Sequence, residues 1–168
     1  MRFGILTISD RSARGERVDA SGPALVEAVG ALGWEVSRTR VVADDGEQIQ
    51  SILSAWADDD QLDVILTTGG TGFAARDVTP EATRAVVERL TPGLDEAMRM
   101  ASLKVTPHAM LSRAVSGIRN RTLIVNLPGS PKGALENLQV IAPVLDHAID
   151  LLRDRPGSET GHNNRARS

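Results

Sequence analysis

Short apolar runs alternate with amphipathic stretches along the first half of the chain. Residues 3–8 form a nearly continuous apolar run that ends in polar residues, the pattern of a strand buried on both faces. Apolar residues then recur at helical spacing from Ser21 until Gly33, where the glycine favours the end of a helix. Valines at positions 36, 41 and 42 predict a second strand.

The same alternation continues into the middle of the chain. A second helix is predicted from about Gly46. Its apolar stripe, at positions i, i+3, i+4 and i+7, consists of Ile49, Ile52, Leu53 and Trp56. Residues 63–68 are the third predicted strand, and they run directly into a glycine cluster. Because strands alternate with helices, we expect a parallel sheet that is covered by helices on both faces.

Turn and cap signals divide the second half of the chain. Thr79 is a suitable N-cap and Pro80 a suitable first residue for a helix over 80–90. A further helix is predicted over 94–104, ending before a Thr-Pro pair.

Two strands and a long helix complete the predicted fold. The strands cover 114–118 and 122–127 and are joined by a tight polar connection. The last helix begins near Pro131, and Pro143 is expected to kink or divide it.

Length and composition favour a single globular domain. The 168 residues allow one core, which we assign to 1–153, and the polar residues 154–168 are expected to form a disordered tail. A net charge of −3 and an aromatic content of 2% argue against nucleic-acid binding. The absence of cysteine excludes disulfides and thiolate sites. No apolar run approaches the roughly 20 residues of a membrane helix, so we expect a cytoplasmic protein that does not bind membranes.

The segment after the third predicted strand carries the strongest chemical signal. Thr67-Thr68-Gly69-Gly70-Thr71-Gly72 ends that strand, and ligands of parallel sheets bind at the carboxyl ends of strands. Glycines let backbone amides approach an anion closely, so the segment predicts a phosphate-binding loop. It lacks the spacing of the Walker and dinucleotide-binding motifs, and a simple tight turn is the alternative.

Two aspartates are candidate ligands of a divalent cation. Asp77 precedes the predicted cap of the next helix, so capping does not require it. In most nucleotide sites Mg²⁺ is bound by one or two carboxylates together with phosphate oxygens. A local turn hydrogen bond is the alternative role for Asp77. Asp44 follows the second strand at the same edge, but Asp44-Asp45-Gly46-Glu47 also resembles a capping box.

Two further loops are predicted to reach this edge of the sheet. Ser9-Asp10-Arg11 ends the first strand, and Asn126-Leu127-Pro128-Gly129-Ser130 ends the last one. Both supply amides and hydroxyls, although Pro-Gly is a common turn and Ser130 can cap the last helix. His108 has no partner at metal-ligand spacing, and Ser112 lacks the glycines of a nucleophile elbow. A binding site made from several strand ends is therefore predicted.

Together these motifs resemble those of the molybdenum cofactor biosynthesis family, and within it the molybdopterin adenylyltransferase branch. The resemblance runs from Met1 to about Arg153. It rests on the glycine cluster and on three further segments in the family's order and spacing, namely Arg76-Asp77-Val78-Thr79-Pro80-Glu81-Ala82, Ser112-Arg113 and Asn126-Leu127-Pro128-Gly129-Ser130-Pro131.

The resemblance implies a three-layer α/β/α sandwich with a mostly parallel, Rossmann-like sheet, commonly assembled as a homotrimer. It also implies a Mg²⁺-dependent reaction in which the terminal phosphate of molybdopterin attacks the α-phosphate of ATP and releases pyrophosphate. The family's two essential aspartates, which would also hold Mg²⁺, fall on Asp44 and Asp77. Its substrate contacts fall on Gly69, Gly70, Thr71, Gly72, Ser102, Ser112, Asn126, Pro128, Gly129 and Ser130, to which strand-end position adds Ser9.

Other functions fit parts of the pattern. A molybdate insertase has the same core fold but is much longer, although we expect such an enzyme to receive the product. A short paralogous branch would bind pterin or nucleotide with little turnover, and a trimeric interaction module would need no turnover. Asp44 and Asp77 argue against a purely structural role, because a scaffold has no need of paired carboxylates beside a phosphate loop.

Overall fold

A single mixed sheet forms the centre of the molecule, which a computed structural model describes over residues 1–155. Its strands are β1 (Arg2–Ile8), β2 (Glu35–Val42), β3 (Val64–Thr68), β4 (Arg89–Leu90), β5 (Ser116–Arg119) and β6 (Thr122–Leu127). Their order across the sheet is β2-β1-β3-β6-β5-β4. β2, β1, β3 and β6 are parallel, and β5 is antiparallel to both of its neighbours. The mostly parallel sheet expected from the sequence is confirmed.

Helices cover both faces of this sheet. They are α1 (Asp10–Ala13), α2 (Ser21–Ala31), α3 (Gly46–Asp58), α4 (Thr79–Val86), α5 (Pro92–Leu103), the 3-10 helix Pro107–Leu111 and α6 (Pro131–Leu152). One core lies between the sheet and α2, α5 and α6, and a second lies between the sheet and α3 and α4. Successive strand residues point to opposite faces, so Ile5 joins the first core and Leu6 the second. The three-layer arrangement follows.

The amphipathic stripe of α3 behaves as its spacing predicted. Its four apolar residues, Ile49, Ile52, Leu53 and Trp56, are all buried in the second core. The α3 helix starts at Gly46 as expected and ends at Asp58.

The predicted helix over 80–90 is wrong at its carboxyl end. α4 ends at Val86, Val87 is extended, and Arg89–Leu90 pairs with β5. The amide of Glu88 donates to the carbonyl of Ile118 at 2.8 Å, so pairing with a distant strand replaces another helical turn. The prediction that Thr79 is the N-cap is also wrong, because Val78 occupies that position.

Pro143 does not divide the last helix, since α6 continues from Pro131 to Leu152. Proline removes one amide donor and frees the carbonyl four residues earlier, at Gln139. Both residues are exposed, so water can satisfy that carbonyl. Of the predicted tail, residues 156–168 lie outside the described part of the chain. Within residues 1–155, no helix combines the length and apolar character that crossing a membrane requires.

Candidate active site

Residues 69–72, which we call the glycine loop, begin where the carboxyl ends of β1 and β3 meet. The strand order places β2 on one side of β1 and β3 on the other, which makes this gap the switch point where ligands of such sheets bind. Gly69 has φ +104°, and a Cβ there would lie 2.2 Å from the carbonyl oxygen of Ile8. Gly70 has φ +63°, and its Cβ would lie 2.3 Å from Oγ1 of Thr79. Only glycine allows the loop to pack this closely against its neighbours.

Thr79, the first residue of α4, holds the glycine loop through two hydrogen bonds. Oγ1 of Thr79 donates to the carbonyl of Gly69 at 2.9 Å, and its amide donates to the carbonyl of Gly70 at 3.1 Å. Within residues 1–155, the amides of Gly70, Thr71 and Gly72 make no hydrogen bond to the protein. The loop carbonyls are therefore used internally, and a row of amides is left that can bind an anion.

Asp44 lies beside this loop and takes no part in helix capping. The cap of α3 is Asp45, whose Oδ1 accepts from the amide of Gln48 at 2.8 Å. Oδ2 of Asp44 instead accepts from the amide of Asp10 at 2.7 Å. Its Oδ1 lies 3.0 Å from the place where a Cβ on Gly70 would stand. The capping role that the sequence left open for Asp44 thus belongs to Asp45.

Burial is the largest influence on the carboxyl of Asp44. Burial raises its pKa, and the carboxylates of Asp10 and Asp77 act in the same direction, while the hydrogen bond from the amide of Asp10 and the charge of Arg76 act against them. Asp10 behaves differently, because Arg76 donates to both of its carboxylate oxygens, at 2.8 and 2.9 Å, and lowers its pKa. A cation between Asp44 and Asp77 would relieve their repulsion, and hard carboxylate oxygens are the donors that Mg²⁺ prefers.

Asp77 makes the local turn bond that was considered as the alternative to ligand binding. Its Oδ2 accepts from the amide of Ala74 at 2.9 Å and lies 2.9 Å from the Cβ position of Gly72. This bond uses one oxygen and orients the carboxylate, so Oδ1 can still bind a ligand. The turn bond and a binding role are therefore compatible.

Two cavities flank the glycine loop. The polar cavity has a volume of about 350 Å³, and the predicted site residues in its wall are Ser9, Asp44, Gly69, Gly70, Asp77 and Gly129. The apolar cavity has a volume of about 280 Å³, and its predicted site residues are Thr71, Gly72, Ser102, Ser112, Asn126 and Pro128. Ser130 lines both cavities. The structure thus brings all the predicted residues to one edge of the sheet but divides them into two neighbouring groups.

Some of these side chains are committed to internal hydrogen bonds. Asn126 is fully buried, and its Oδ1 accepts from the amide of Val115 at 3.2 Å while Nδ2 donates to two threonine hydroxyls. Ser130 caps α6 by accepting from the amide of Gly133 at 3.2 Å. Asn126 is thus held within the wall of the apolar cavity, and Ser130, the cap of α6, lies in the walls of both cavities.

Several charged residues at the site were not singled out from the sequence as site residues, among them Asp19, Arg76 and Arg113. Asp19 lines the polar cavity and accepts from Oγ1 of Thr7 at 2.7 Å. Arg76 pairs with Asp10, and Arg113 donates to the glycine loop. Arg76 and Arg113 lie within the quoted motifs, but no local pattern indicates which distant groups an arginine will contact.

Comparison with known proteins gives the family of the chain. Residues 4–147 match a family described as "Probable molybdopterin binding domain". The chain belongs to this family. It is 43% identical over 154 residues to the molybdopterin adenylyltransferase of Helicobacter pylori, covering 90% of this chain and 88% of that protein.

A solved structure and a longer relative extend the comparison. The MoaB protein of Thermus thermophilus, described as a molybdopterin biosynthesis enzyme, is 52% identical, with a TM-score of 0.86 over 92% of this chain and 98% of that one. Gephyrin of Dictyostelium discoideum is 43% identical over 174 residues, which cover 98% of this chain but 24% of gephyrin. The chain therefore corresponds to about a quarter of that longer protein and to most of the bacterial relatives. The resemblance to molybdenum cofactor biosynthesis proteins is confirmed.

Proposed function

We propose that this protein is a molybdopterin adenylyltransferase, which transfers AMP from ATP to the terminal phosphate of molybdopterin. The observation that carries the proposal is the pair of cavities that flank one glycine loop, with Asp44 and Asp77 in the wall of the polar cavity. A transferase needs room for two substrates whose phosphates meet. The 43% identity to the Helicobacter pylori enzyme supports the same activity.

The two cavities suit chemically different substrates. The polar cavity, with its carboxylates and adjacent loop amides, suits the triphosphate of ATP. The apolar cavity, with walls such as Met98 and Leu111 and a few polar groups, suits a flat heterocycle such as a pterin. Ser130 and the amino end of α6 lie between them, where a helix terminus favours phosphate oxygens. The reacting phosphates would then meet beside the loop.

The reaction requires no nucleophile from the protein. An oxygen of the pterin phosphate attacks the α-phosphorus of ATP, and the bond from that phosphorus to the bridging oxygen breaks. Pyrophosphate leaves with the bonding electron pair. Catalysis of this kind rests on alignment and on neutralising charge, which the loop amides and the α6 terminus can provide.

Asp44 and Asp77 are proposed to hold Mg²⁺. Among residues 1–155, no group of three or more His, Cys, Asp or Glu side chains could hold a metal ion by itself. Two carboxylates that rely on phosphate oxygens to complete the coordination fit that finding. When bound with ATP, Mg²⁺ neutralises charge on the triphosphate and on the departing pyrophosphate.

Pyrophosphate release tests the proposed activity. Purified wild type is mixed with ATP, MgCl₂ and molybdopterin, beside Asp77→Asn and the control Asp45→Asn, in which asparagine preserves the α3 cap. We expect pterin-dependent release by wild type and the control, and a loss of at least about 100-fold in Asp77→Asn. Equal release by Asp77→Asn would contradict its role.

A binding protein with little turnover is the second candidate. The protein named MoaB, 52% identical to this chain, is described as a molybdopterin biosynthesis enzyme, a description that does not name adenylyl transfer. Folded wild type that binds molybdopterin tightly but releases no pyrophosphate would support this candidate and refute the first.

Assembly and cellular setting complete the proposal. Exposed apolar side chains lie along α5 and the 3-10 helix, at Met100, Leu103 and Met110, and they support self-association, for which we propose the homotrimer that the family resemblance implies. Light scattering should give three times the monomer mass, and a monomer at micromolar concentration would contradict this. The reaction is assigned to the cytoplasm, where ATP is available. The product is expected to pass to a molybdate insertase, as the family resemblance implies.

A further inference from the structure

Arg113 ties together the segment that separates the two cavities. Its amide donates to the carbonyl of Thr71 at 2.9 Å, and its Nε donates to the carbonyl of Gly72 at 2.7 Å. Nη2 donates to the carbonyl of Asp77 at 2.5 Å, and Nη1 pairs with Glu81 at the start of α4. One arginine thus contacts the glycine loop, the aspartate and the following helix.

We propose that Arg113 is a positioning residue that sets the place of Asp77 relative to the glycine loop. The inference rests on the proposed function, because it concerns the residue assigned to hold the cation. Residues 73–76, between the two carbonyls that Arg113 binds, are exposed. Because Arg113 binds the carbonyls of both Gly72 and Asp77, it fixes the two ends of the segment 73–76. The carboxylate of Asp77 is thereby kept against Gly72, in the wall of the polar cavity.

The geometry requires a guanidinium group. Nε, Nη1 and Nη2 of Arg113 each have a different acceptor, and these acceptors belong to three different residues. A planar fork presents N–H groups in several fixed directions at once, whereas the ammonium of lysine is a compact point charge on a flexible stem. Arg113→Lys should therefore keep the charge and lose the positioning.

Arg113 also links the two cavities through its neighbour. Ser112 lines the apolar cavity, and its carbonyl accepts from Nη1 of Arg99 at 3.1 Å. Arg113 is the next residue and contacts the Asp77 segment of the polar cavity. A ligand that binds against Ser112 would thus contact the residue next to Arg113. Arg113 in turn holds the segment that carries Asp77.

The ion pair between Arg113 and Glu81 should contribute little to the global stability of the fold. The side chain of Arg113 is 35% exposed and that of Glu81 is 58% exposed, so their ion pair lies in a well-screened position. Pairs of this kind contribute little to global stability. Loss of Arg113 should therefore act mainly on the loop.

Arg119 provides the matched control. Its Nε and Nη2 donate to Asp58 and its Nη1 donates to the carbonyl of Val86, so it joins two helix ends much as Arg113 joins the loop to α4. It lies at the end of β5, on the opposite edge of the sheet from the cavities. Arg119→Met removes a comparable set of contacts without touching the site.

The test compares Arg113→Met, Arg113→Lys and Arg119→Met with wild type. Hydrogen exchange is measured for amides in residues 71–78, and Mg²⁺-dependent binding is measured with α,β-methylene-ATP. Kinetics with molybdopterin separate kcat from KM, and added guanidinium at millimolar concentration tests for rescue. In both Arg113 variants we expect faster exchange confined to 71–78 and kcat lower by about 10- to 100-fold, with the pterin KM changed less than about threefold. Guanidinium should restore part of the activity of Arg113→Met.

Two results would overturn the proposal. The first is that Arg113→Met matches Arg119→Met in loop exchange and nucleotide binding, and the second is that Arg113→Lys behaves as wild type. If wild type itself releases no pyrophosphate, the proposed function fails, but loop exchange and Mg²⁺-dependent nucleotide binding still decide the role of Arg113. The failure of one proposal is thus distinguishable from the failure of the other.

Discussion

Asp10 and Asp44 hold each other at the carboxyl edge of the sheet through two reciprocal hydrogen bonds. The amide of Asp10 donates to Oδ2 of Asp44 at 2.7 Å, and the amide of Asp44 donates to Oδ1 of Asp10 at 3.1 Å. Asp45, the next residue along the chain, caps α3 instead. Two adjacent aspartates therefore have separate roles that mutation can distinguish.

Substitutions at Asp44 and Asp45 should have opposite consequences. Asp45→Ala removes the cap and should lower the free energy of unfolding by about 1 kcal/mol while pyrophosphate release is retained. Asp44→Asn keeps an oxygen that can accept from Asp10 and should keep stability but lose release. Urea denaturation and the pyrophosphate assay check both variants. Full activity in Asp44→Asn would show that its charge is not needed.

Removal of the divalent cation should weaken nucleotide binding. Asp44 and Asp77 repel each other across the polar cavity, so a triphosphate alone would meet unfavourable charge there. We expect α,β-methylene-ATP to raise the melting temperature of wild type in the presence of Mg²⁺ and not in the presence of EDTA. Asp77→Asn should show a much smaller difference between the two conditions. A cation-independent shift in wild type would count against the proposed cation site.

We expect glycine to be required at position 69 but not at position 30. Gly69→Ala combines φ +104° with a contact of 2.2 Å to the carbonyl of Ile8, and should lower the free energy of unfolding by at least about 2 kcal/mol. Gly30 lies in α2, and a Cβ there meets nothing within 4 Å, so Gly30→Ala should stabilise the fold by about 0.5–1 kcal/mol. Thermal or urea unfolding of the two variants measures both effects. A neutral Gly69→Ala would show that the loop can move away from β1 at little cost.

The buried carboxylate of Asp95 predicts a pH-dependent difference in stability. Its Oδ2 accepts from the amide of Ser116 at 3.0 Å, and its Oδ1 has no hydrogen-bond partner within residues 1–155. Burial raises the pKa of Asp95 above its usual value of 3.8, which means that folding disfavours the ionised form. Relative stability from this group is present below pH 3.8 and is lost as the pH rises through the folded-state pKa.

Asp95→Asn should therefore be more stable than wild type at neutral pH, because asparagine stays neutral and can still accept from Ser116. The difference between the two proteins should shrink as the pH falls towards 3.8 and Asp95 becomes protonated. Urea unfolding at several pH values gives both curves. A difference that does not change with pH would mean that ionisation of Asp95 is not the cause.

Local pattern was sufficient for the elements that bury a periodic apolar face. The stripe of α3 and the runs of β1 and β3 were predicted correctly, because the spacing of their apolar residues matches one secondary structure. The stripe of α3 fits a helix that is buried on one face, and the runs of β1 and β3 fit strands that are buried on both faces. The glycine cluster likewise indicated the position of the candidate site, since a loop at a strand end with three glycines tolerates close approach. Both kinds of inference use residues that are near one another in sequence.

The sequence by itself thus determined the alternating fold, its two buried faces and the edge of the sheet at which the candidate residues meet. Only the tertiary structure decided which groups those residues contact there. The chain after α4 pairs with β5 instead of continuing the helix, and Asp44 accepts from the amide of Asp10 instead of capping α3. Arg113 binds the carbonyl of Asp77, which lies 36 positions away along the chain. The physical reason is that a helix face or a strand is specified by neighbours along the chain, whereas a hydrogen bond to a distant group depends on how the layers pack.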